Sequence, residues 1–274
     1  MTLHLADRTI LLTGGGGFLG QHVQRQLRAE GATSIMVPRS HEYDLTQQTA
    51  VAELLEAVRP DVVVHLAAEV GGIGANRDNP GRYFFANMAM GLHLIEQSRL
   101  IGVEKFVQIG TVCSYPKFTP VPFREASLWD GFPEETNAPY GVAKKALLTM
   151  LEGYEAQYDF KSVYLIPVNL YGPGDNFDPK SSHVIPALIR KFVEARDQNQ
   201  DNVQVWGTGA ASREFLFVTD AADAIVRATQ NLDVLTPVNI GTGREITIFD
   251  LVTLIADLVG YEGNIAWDSS KPDG

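Results

Sequence analysis

Tyr140 and Lys144 stand four residues apart directly behind Pro139. Proline suits the first turn of a helix, and residues at this spacing share one helical face, so a phenol and an ammonium point into the same cleft. An isolated tyrosine has a pKa of about 10, and a neighbouring ammonium is expected to lower it toward neutrality, where the phenol can give a proton to a forming alkoxide. Thr111 lies just past the apolar run 105–110, where its hydroxyl can share a carbonyl oxygen with Tyr140. Cys113 follows two residues later, on the same side of an extended chain. Most lone cysteines are buried small hydrophobes, but this placing turns the thiol toward the site. His183 precedes a helical period, where it reads equally as a neighbour of the N-cap or as an acid–base group.

A proton donor of this kind needs a partner to reduce the carbonyl, and the N-terminus supplies one. Gly14, Gly15, Gly16, Gly17, Phe18, Leu19 and Gly20 follow the apolar stretch 9–12 and open a helical period. Glycines let backbone approach a pyrophosphate, and the helix N-terminus offers free N–H groups and a partial positive charge. The run satisfies both GxxGxxG and GxGxxG, so it does not choose between them. A strand before and an amphipathic helix after give the context that a dinucleotide site requires. Lys144 then also holds the nicotinamide ribose. The second strand ends in Val37-Pro38-Arg39-Ser40, with no carboxylate before Glu42 and Asp44. A guanidinium where NAD-specific sheets carry an acid favours NADP(H), and Asp44 is placed to meet the adenine amino group.

These groups must be carried by alternating strands and helices. Strands are expected at 9–13, 34–37, 62–65, 105–110 and 162–168, and helices at 17–30, 46–57, 83–101 and 139–158. The strands are apolar on both faces, which predicts an α/β fold, a Rossmann-like doubly wound parallel sheet with ligands beyond the carboxyl ends of its strands. Residues 170–179 read as a turn-rich loop, followed by a helix over 183–196 and a strand at 203–206. Residues 215–218, 220–231 and 238–241 read as one more βαβ unit returning to the same sheet, and 247–259 as a last helix. The expected division is a cofactor domain, 1–168 plus 215–241, and a smaller discontinuous α/β cap, 169–214 plus 242–274, its C-terminal part incomplete.

The chain has 274 residues, 45% hydrophobic and 20% charged, enough for a large core. A net charge of −11 argues against a nucleic-acid partner. No apolar run reaches the length of a membrane span and no signal pattern opens the chain, so a cytoplasmic location is expected. The single cysteine, Cys113, fits a reducing compartment.

Taken together the residues resemble the extended short-chain dehydrogenase/reductase family. The segments 65–76, 110–117, 169–179, 182–187, 205–209, 213–216 and 270–274 are similar to one branch of it, the GDP-L-fucose synthases, and the likeness runs almost end to end. That resemblance implies NADPH-dependent 3,5-epimerisation and 4-reduction of GDP-4-keto-6-deoxy-D-mannose, and a homodimer. It implies Thr111, Cys113, Tyr140, Lys144 and His183 as the reacting groups. Further cofactor contacts are implied at Leu66, Ala67, Ala68, Ile109, Gly110, Pro167, Val168, Asn169, Leu170 and His183, and no metal. Lys191, Trp206, Arg213 and Asp273 are expected to hold the sugar nucleotide. Lys191 replaces the family's usual arginine, Thr111 its usual serine, and Glu69 a frequent lysine; Gly16 replaces an arginine of some relatives. Related GDP-4-keto sugars of the colitose or 6-deoxyheptose type fit the same chemistry. An NAD-dependent nucleotide-sugar epimerase or dehydratase fits less well, because of Arg39, Cys113 and His183. A non-catalytic NADP-binding regulator is disfavoured by the intact set of reacting groups.

Overall fold

The computed structural model describes residues 2–179 and 181–271. Its elements, in chain order, begin β1 (Thr9–Thr13), α1 (Phe18–Ala29), β2 (Ser34–Met36), α2 (Gln48–Val58), β3 (Val62–His65), α3 (Ile73–Asp78) and α4 (Pro80–Ile101). There follow β4 (Lys105–Ile109), α5 (Ala138–Tyr158), β5 (Ser162–Pro167), β6 (Asn169–Tyr171), α6 (Val184–Asp197) and β7 (Asn202–Trp206). The last are β8 (Ser212–Phe217), α7 (Val218–Asn231), β9 (Val238–Ile240), β10 (Glu245–Thr247), α8 (Ile248–Val259) and β11 (Asn264–Asp268).

Six parallel strands form the main sheet in the order β2-β1-β3-β4-β5-β9. Every residue of β3, β4 and β5 is buried, which only a sheet covered on both faces allows. Alternate side chains feed two cores. Leu11, Val63, Phe106 and Tyr164 meet α2, α4 and α5 on one face, while Ile10, Val64, Val107 and Val163 meet α1 and α7 on the other. The chain steps from β1 outward to β2 and then back across to β3, so a crevice opens at the carboxyl ends of β1 and β3. A third core, built on Phe192, Val205, Val252 and Ile255, joins α6, α8, β7 and β11 away from the main sheet.

One part of the expected topology is corrected. The strand placed at 215–218 spans Ser212–Phe217 and does not join the main sheet. The backbone after β5 runs straight into β6, and β8 pairs with β6 in parallel, Leu170 opposite Leu216. Only β9 returns to β5, so the expected βαβ unit straddles two sheets. The start of the predicted loop 170–179 is therefore strand, and the turn begins at Gly172 (φ 147°). Strands β10 and β11 and helix α3 have no counterpart in the sequence expectation.

Candidate active site

The glycine run is shaped by contacts that leave no room for side chains. Gly14 adopts φ 69°, and a Cβ there would lie 2.7 Å from the Ala67 nitrogen. A Cβ on Gly20 would come within 2.2 Å of the Gly14 carbonyl, so α1 presses its first turn directly onto the loop. Gly17 caps α1 without any side-chain acceptor, which leaves its first N–H groups facing the crevice. Gly15 and Gly16 carbonyls are held by Gln24 Nε2 at 2.6 Å and Gln21 Nε2 at 3.3 Å. A Cβ on Gly16 would stand 2.1 Å from Arg39 Nη1: the exposed guanidinium lies across this glycine. Arginine at position 16 would have displaced it.

Thr13 fixes the adjoining segment, its carbonyl accepting from Leu66 N at 3.2 Å and its hydroxyl from Ala67 N at 3.4 Å. Ala68 follows in irregular backbone past β3. Asp44 accepts from Thr46 N and Oγ1 at 3.0 and 2.7 Å; these bonds, helped by the Arg82 charge, hold its carboxyl below the usual range. Arg82 also grips Glu69, Nε to Oε2 at 2.8 Å and Nη2 to Oε1 at 2.5 Å, so the carboxylate that replaces lysine has its own cation. Phe18 packs edge-on against His22 at 6.0 Å, beside Leu19. Gly110 donates to Leu165 O, and a Cβ there would strike the Tyr164 ring at 2.5 Å. Ile109 ends β4 opposite Leu165, Pro167 ends β5 opposite Ile240 of β9, Val168 N donates to Ile240 O at 3.0 Å, and Asn169 Nδ2 donates to Glu214 O at 3.0 Å.

The reacting groups gather where β4 ends. Thr111 opens a single 3₁₀ turn, Val112–Ser114, and its hydroxyl accepts from Cys113 N at 3.2 Å. Helix α5 comes up against this turn because residue 141 is glycine, whose Cβ would otherwise sit 2.2 Å from the Cys113 carbonyl. Ser114 Oγ seals the contact by donating to Gly141 O at 2.9 Å. Tyr140, one residue earlier, is thereby brought close enough to the Thr111 hydroxyl for that group to favour the ionised phenol. Burial pushes the Cys113 thiol up, opposed by the Thr111 hydroxyl and the Arg213 charge.

The expected depressed phenol is not found. Burial, followed by the nearby Cys113, pushes Tyr140 well above the ordinary tyrosine range, and the Thr111 hydroxyl only partly opposes it. Lys144 is 1% exposed and burial alone pushes it down to about 8. Two polar groups crowded in a dry cleft both resist ionisation, and this outweighs the attraction expected from the spacing. The fall of Lys144 from 10.5 to about 8 corresponds to about 3 kcal/mol of folding stability. Between about pH 8 and 10.5 the folded state binds fewer protons, so the penalty is full below that interval, fades across it and is gone above 10.5. Lys144→Met should therefore melt several degrees higher than the native protein at pH 7, with the gap closing in strong alkali. Calorimetry across pH checks this; a lower melting point at pH 7 would contradict it.

His183 caps α6 and is exposed to the cleft. Asp175, which the sequence presented only as a turn residue among glycines and proline, lies close enough for the two charges to act on each other. Glu134, also unforeseen, bears on Cys113 electrostatically, while it caps the approach to α5 through Thr136 Oγ1 at 2.6 Å and Asn137 Nδ2 at 2.8 Å. Arg213 reaches toward Cys113, its Nη1 donating to Ser212 O at 2.6 Å. Lys191 donates to Gln204 O at 2.8 Å. Trp206 is 62% exposed, with Lys271 Nζ 5.8 Å from its ring, another cation not singled out in the sequence. Asp273 lies outside the described residues.

Known proteins share this fold. A probable GDP-L-fucose synthase of Oryza sativa subsp. japonica is 43% identical over 98% of this chain and 83% of its own length. A GDP-6-OMe-4-keto-L-xylo-heptose reductase from C. jejuni superposes with a TM-score of 0.92 at 28% identity, covering 100% of this chain and 89% of that one. A GDP-L-fucose synthetase from Naegleria fowleri bound to NADP gives a TM-score of 0.89 at 29% identity, covering 100% and 85%. The sequence profile of the NAD dependent epimerase/dehydratase family matches residues 10–241, from β1 through the last strand of the main sheet. With its glycine-lined crevice and its Tyr140–Lys144 helix, the chain belongs to that family.

Proposed function

We propose that this protein makes GDP-L-fucose from GDP-4-keto-6-deoxy-D-mannose, inverting C3 and C5 and then reducing C4 at the expense of NADPH. The observation that carries the reading is the cluster at the end of β4, where Tyr140, Thr111 and Cys113 meet in one buried corner. A ketone at C4 acidifies the C–H bonds on both sides of it. Tyr140 and Thr111 supply two hydroxyl donors for the enolate oxygen. Cys113 and His183 exchange protons at the flanking carbons, one removing and the other returning a proton on the opposite face. The likeness to the Oryza and Naegleria proteins supports the substrate and the cofactor.

The residues fit a dinucleotide with a 2′-phosphate. Glycines 14, 15, 16, 17 and 20 keep the crevice floor free of side chains, and Arg39 lies over Gly16 with no ion-pair partner among the described residues. When bound, NADPH provides the hydride for C4. Lys144 holds the ribose and Tyr140 gives its proton to O4. Arg39→Ala should raise KM for NADPH by about 10- to 100-fold, the worth of a charge-assisted bond, and leave KM for NADH unchanged. Steady-state kinetics with both cofactors decides this, and an equal change in the two would remove Arg39 from the role.

Residues 1–168 with 215–241 form the cofactor lobe in this reading, and 169–214 with 242–274 the lobe for the sugar nucleotide. The separate core around Phe192 supports the division. Arg213 grips the diphosphate, and Trp206 and Lys191 line the nucleoside end. A homodimer in the cytoplasm completes the proposal. Among the described residues no helix is long and apolar enough to cross a membrane. The C. jejuni likeness favours, as a second reading, the same chemistry on a GDP-4-keto-heptose. Purified protein offered GDP-4-keto-6-deoxymannose and the heptose analogue with NADPH separates the two by which one bleaches the nicotinamide absorbance; if neither does, the proposal fails.

A further inference from the structure

The segment past β3 is held by amide side chains rather than by strand or helix. Glu69 N donates to Asn87 Oδ1 at 3.2 Å, and Glu69 O accepts from Asn87 Nδ2 at 2.7 Å. Two residues on, Gly71 N donates to Asn76 Oδ1 at 3.2 Å. Asn76 is a residue of α3 only 4% exposed, and its Nδ2 crosses to another element, donating to Asn137 Oδ1 at 2.7 Å. Asn137 Nδ2 donates in turn to Glu134 Oε2 at 2.8 Å. A carboxylate only accepts, and Glu134 also takes the Thr136 hydroxyl and the N–H groups of Thr136 and Asn137. That end sets the direction of the row: Asn137 turns its N–H to Glu134 and its oxygen to Asn76, and Asn76 turns its oxygen to Gly71. The row spans the site. Asn137 precedes α5, and its carbonyl accepts at 2.9 Å from Gly141 N, the residue that presses on the Cys113 carbonyl. At the other end Asn76 N donates to Gly72 O at 3.0 Å, and a Cβ on Gly72 would rest 3.4 Å from the carbonyl oxygen of Ser182, next to His183.

We propose that Asn76 is a positioning residue for proton exchange at C3 and C5: it locks the Gly71–Gly72 backbone, on which the Ser182–His183 segment rests, to the start of α5, which sets Cys113. This rests on the fucose-synthase reading above. Inversion needs the thiol and the imidazole on opposite faces of one ring, so the two segments that carry them must keep a fixed separation. Buried amide bonds hold it firmly, because breaking either one leaves a dry polar atom unpaired. Hydride transfer does not cross this joint. It depends on Tyr140, Thr111 and Lys144, which β4 and α5 align between themselves through the Ser114–Gly141 bond. Both ends of the Asn76 amide are taken by protein partners, so it acts through them.

The test compares two half-reactions of full-length protein. Uptake of solvent deuterium at C3 and C5 of GDP-4-keto-6-deoxymannose, followed by mass spectrometry, reads proton exchange. Oxidation of GDP-L-fucose by NADP⁺ reads hydride transfer. Asn76→Ala should slow exchange by about 10- to 100-fold, the loss that a small misplacement of reacting groups causes, while hydride transfer stays near native. Asn76→Asp keeps the size and the acceptor for Gly71 but sets an oxygen against Asn137 Oδ1, and should slow exchange as much. If Asn76→Ala does not fold, this variant of equal size carries the comparison. Asn137→Ala breaks the same joint from the other side, so combining it with Asn76→Ala should be no slower than the worse single change. Native exchange in Asn76→Asp overturns the proposal, as do equal falls of both half-reactions or additive losses in the double variant. Native protein that takes up no deuterium overturns the fucose-synthase reading and this inference together; native exchange with indifferent Asn76 variants overturns this inference alone.

Discussion

Replacing Tyr140 by Phe should lower turnover of ketone reduction by about 10²- to 10⁴-fold, the range for removing a positioned general acid. The ring stays, so the packing of α5 against the Val112–Ser114 turn is kept, including the Ser114–Gly141 bond. The lost element is one hydroxyl. Burial holds that phenol well above its ordinary pKa, so it carries its proton throughout the neutral range. That is the form a donor to O4 must have. The ionisation expected to limit the reaction on the alkaline side is then Lys144, pushed down to about 8, rather than the phenol. Some activity should survive through Thr111, whose hydroxyl remains as a second donor to the same oxygen. Single-turnover oxidation of NADPH with saturating ketosugar measures the effect. A rate within a few-fold of native would show that another group supplies the proton.

The same corner shows what the residue order alone could convey. The pair Tyr140–Lys144, the end of β4 and the glycine run all obey local rules: period, capping proline, and backbone that tolerates no Cβ. These were readable, and the helices and strands that carry them lie where the pattern placed them within a few residues. What was not readable depends on desolvation and on tertiary neighbours. The spacing of Tyr140 and Lys144 implied mutual stabilisation of charge, yet their depth in the protein reverses the expected direction for the phenol. Asp175 looked like a turn former because Gly172, Pro173 and Gly174 surround it. Its relation to His183 appears only when the loop is folded. Strand β8 was misplaced for a similar reason: an apolar run reveals burial but not which edge receives it, and β6 was the nearer edge. Glu69 in place of a lysine is explained by Arg82, thirteen residues later and one helix away.

The second large effect is expected at the cysteine. Cys113→Ser keeps the size of the side chain and the backbone bond to Thr111, but exchanges a thiol for a far weaker acid. Solvent deuterium uptake at C3 and C5 should fall by about 10²- to 10⁴-fold, since one of the two proton-transfer groups is gone. Oxidation of GDP-L-fucose by NADP⁺ should continue, because Tyr140, Thr111 and Lys144 are untouched. This split distinguishes a proton-transfer role from a structural one: a cysteine that merely filled space beside α5 would, when changed to serine, disturb both half-reactions through the Gly141 contact or neither. Burial raises the thiol while Arg213 and the Thr111 hydroxyl favour its ionised form. An Arg213→Gln variant should therefore weaken exchange as well as nucleotide binding, by removing a cation that favours the thiolate. If Cys113→Ser exchanged deuterium at the native rate, the proton at C3 and C5 would have to pass through His183 alone, and inversion from opposite faces would lose its second partner.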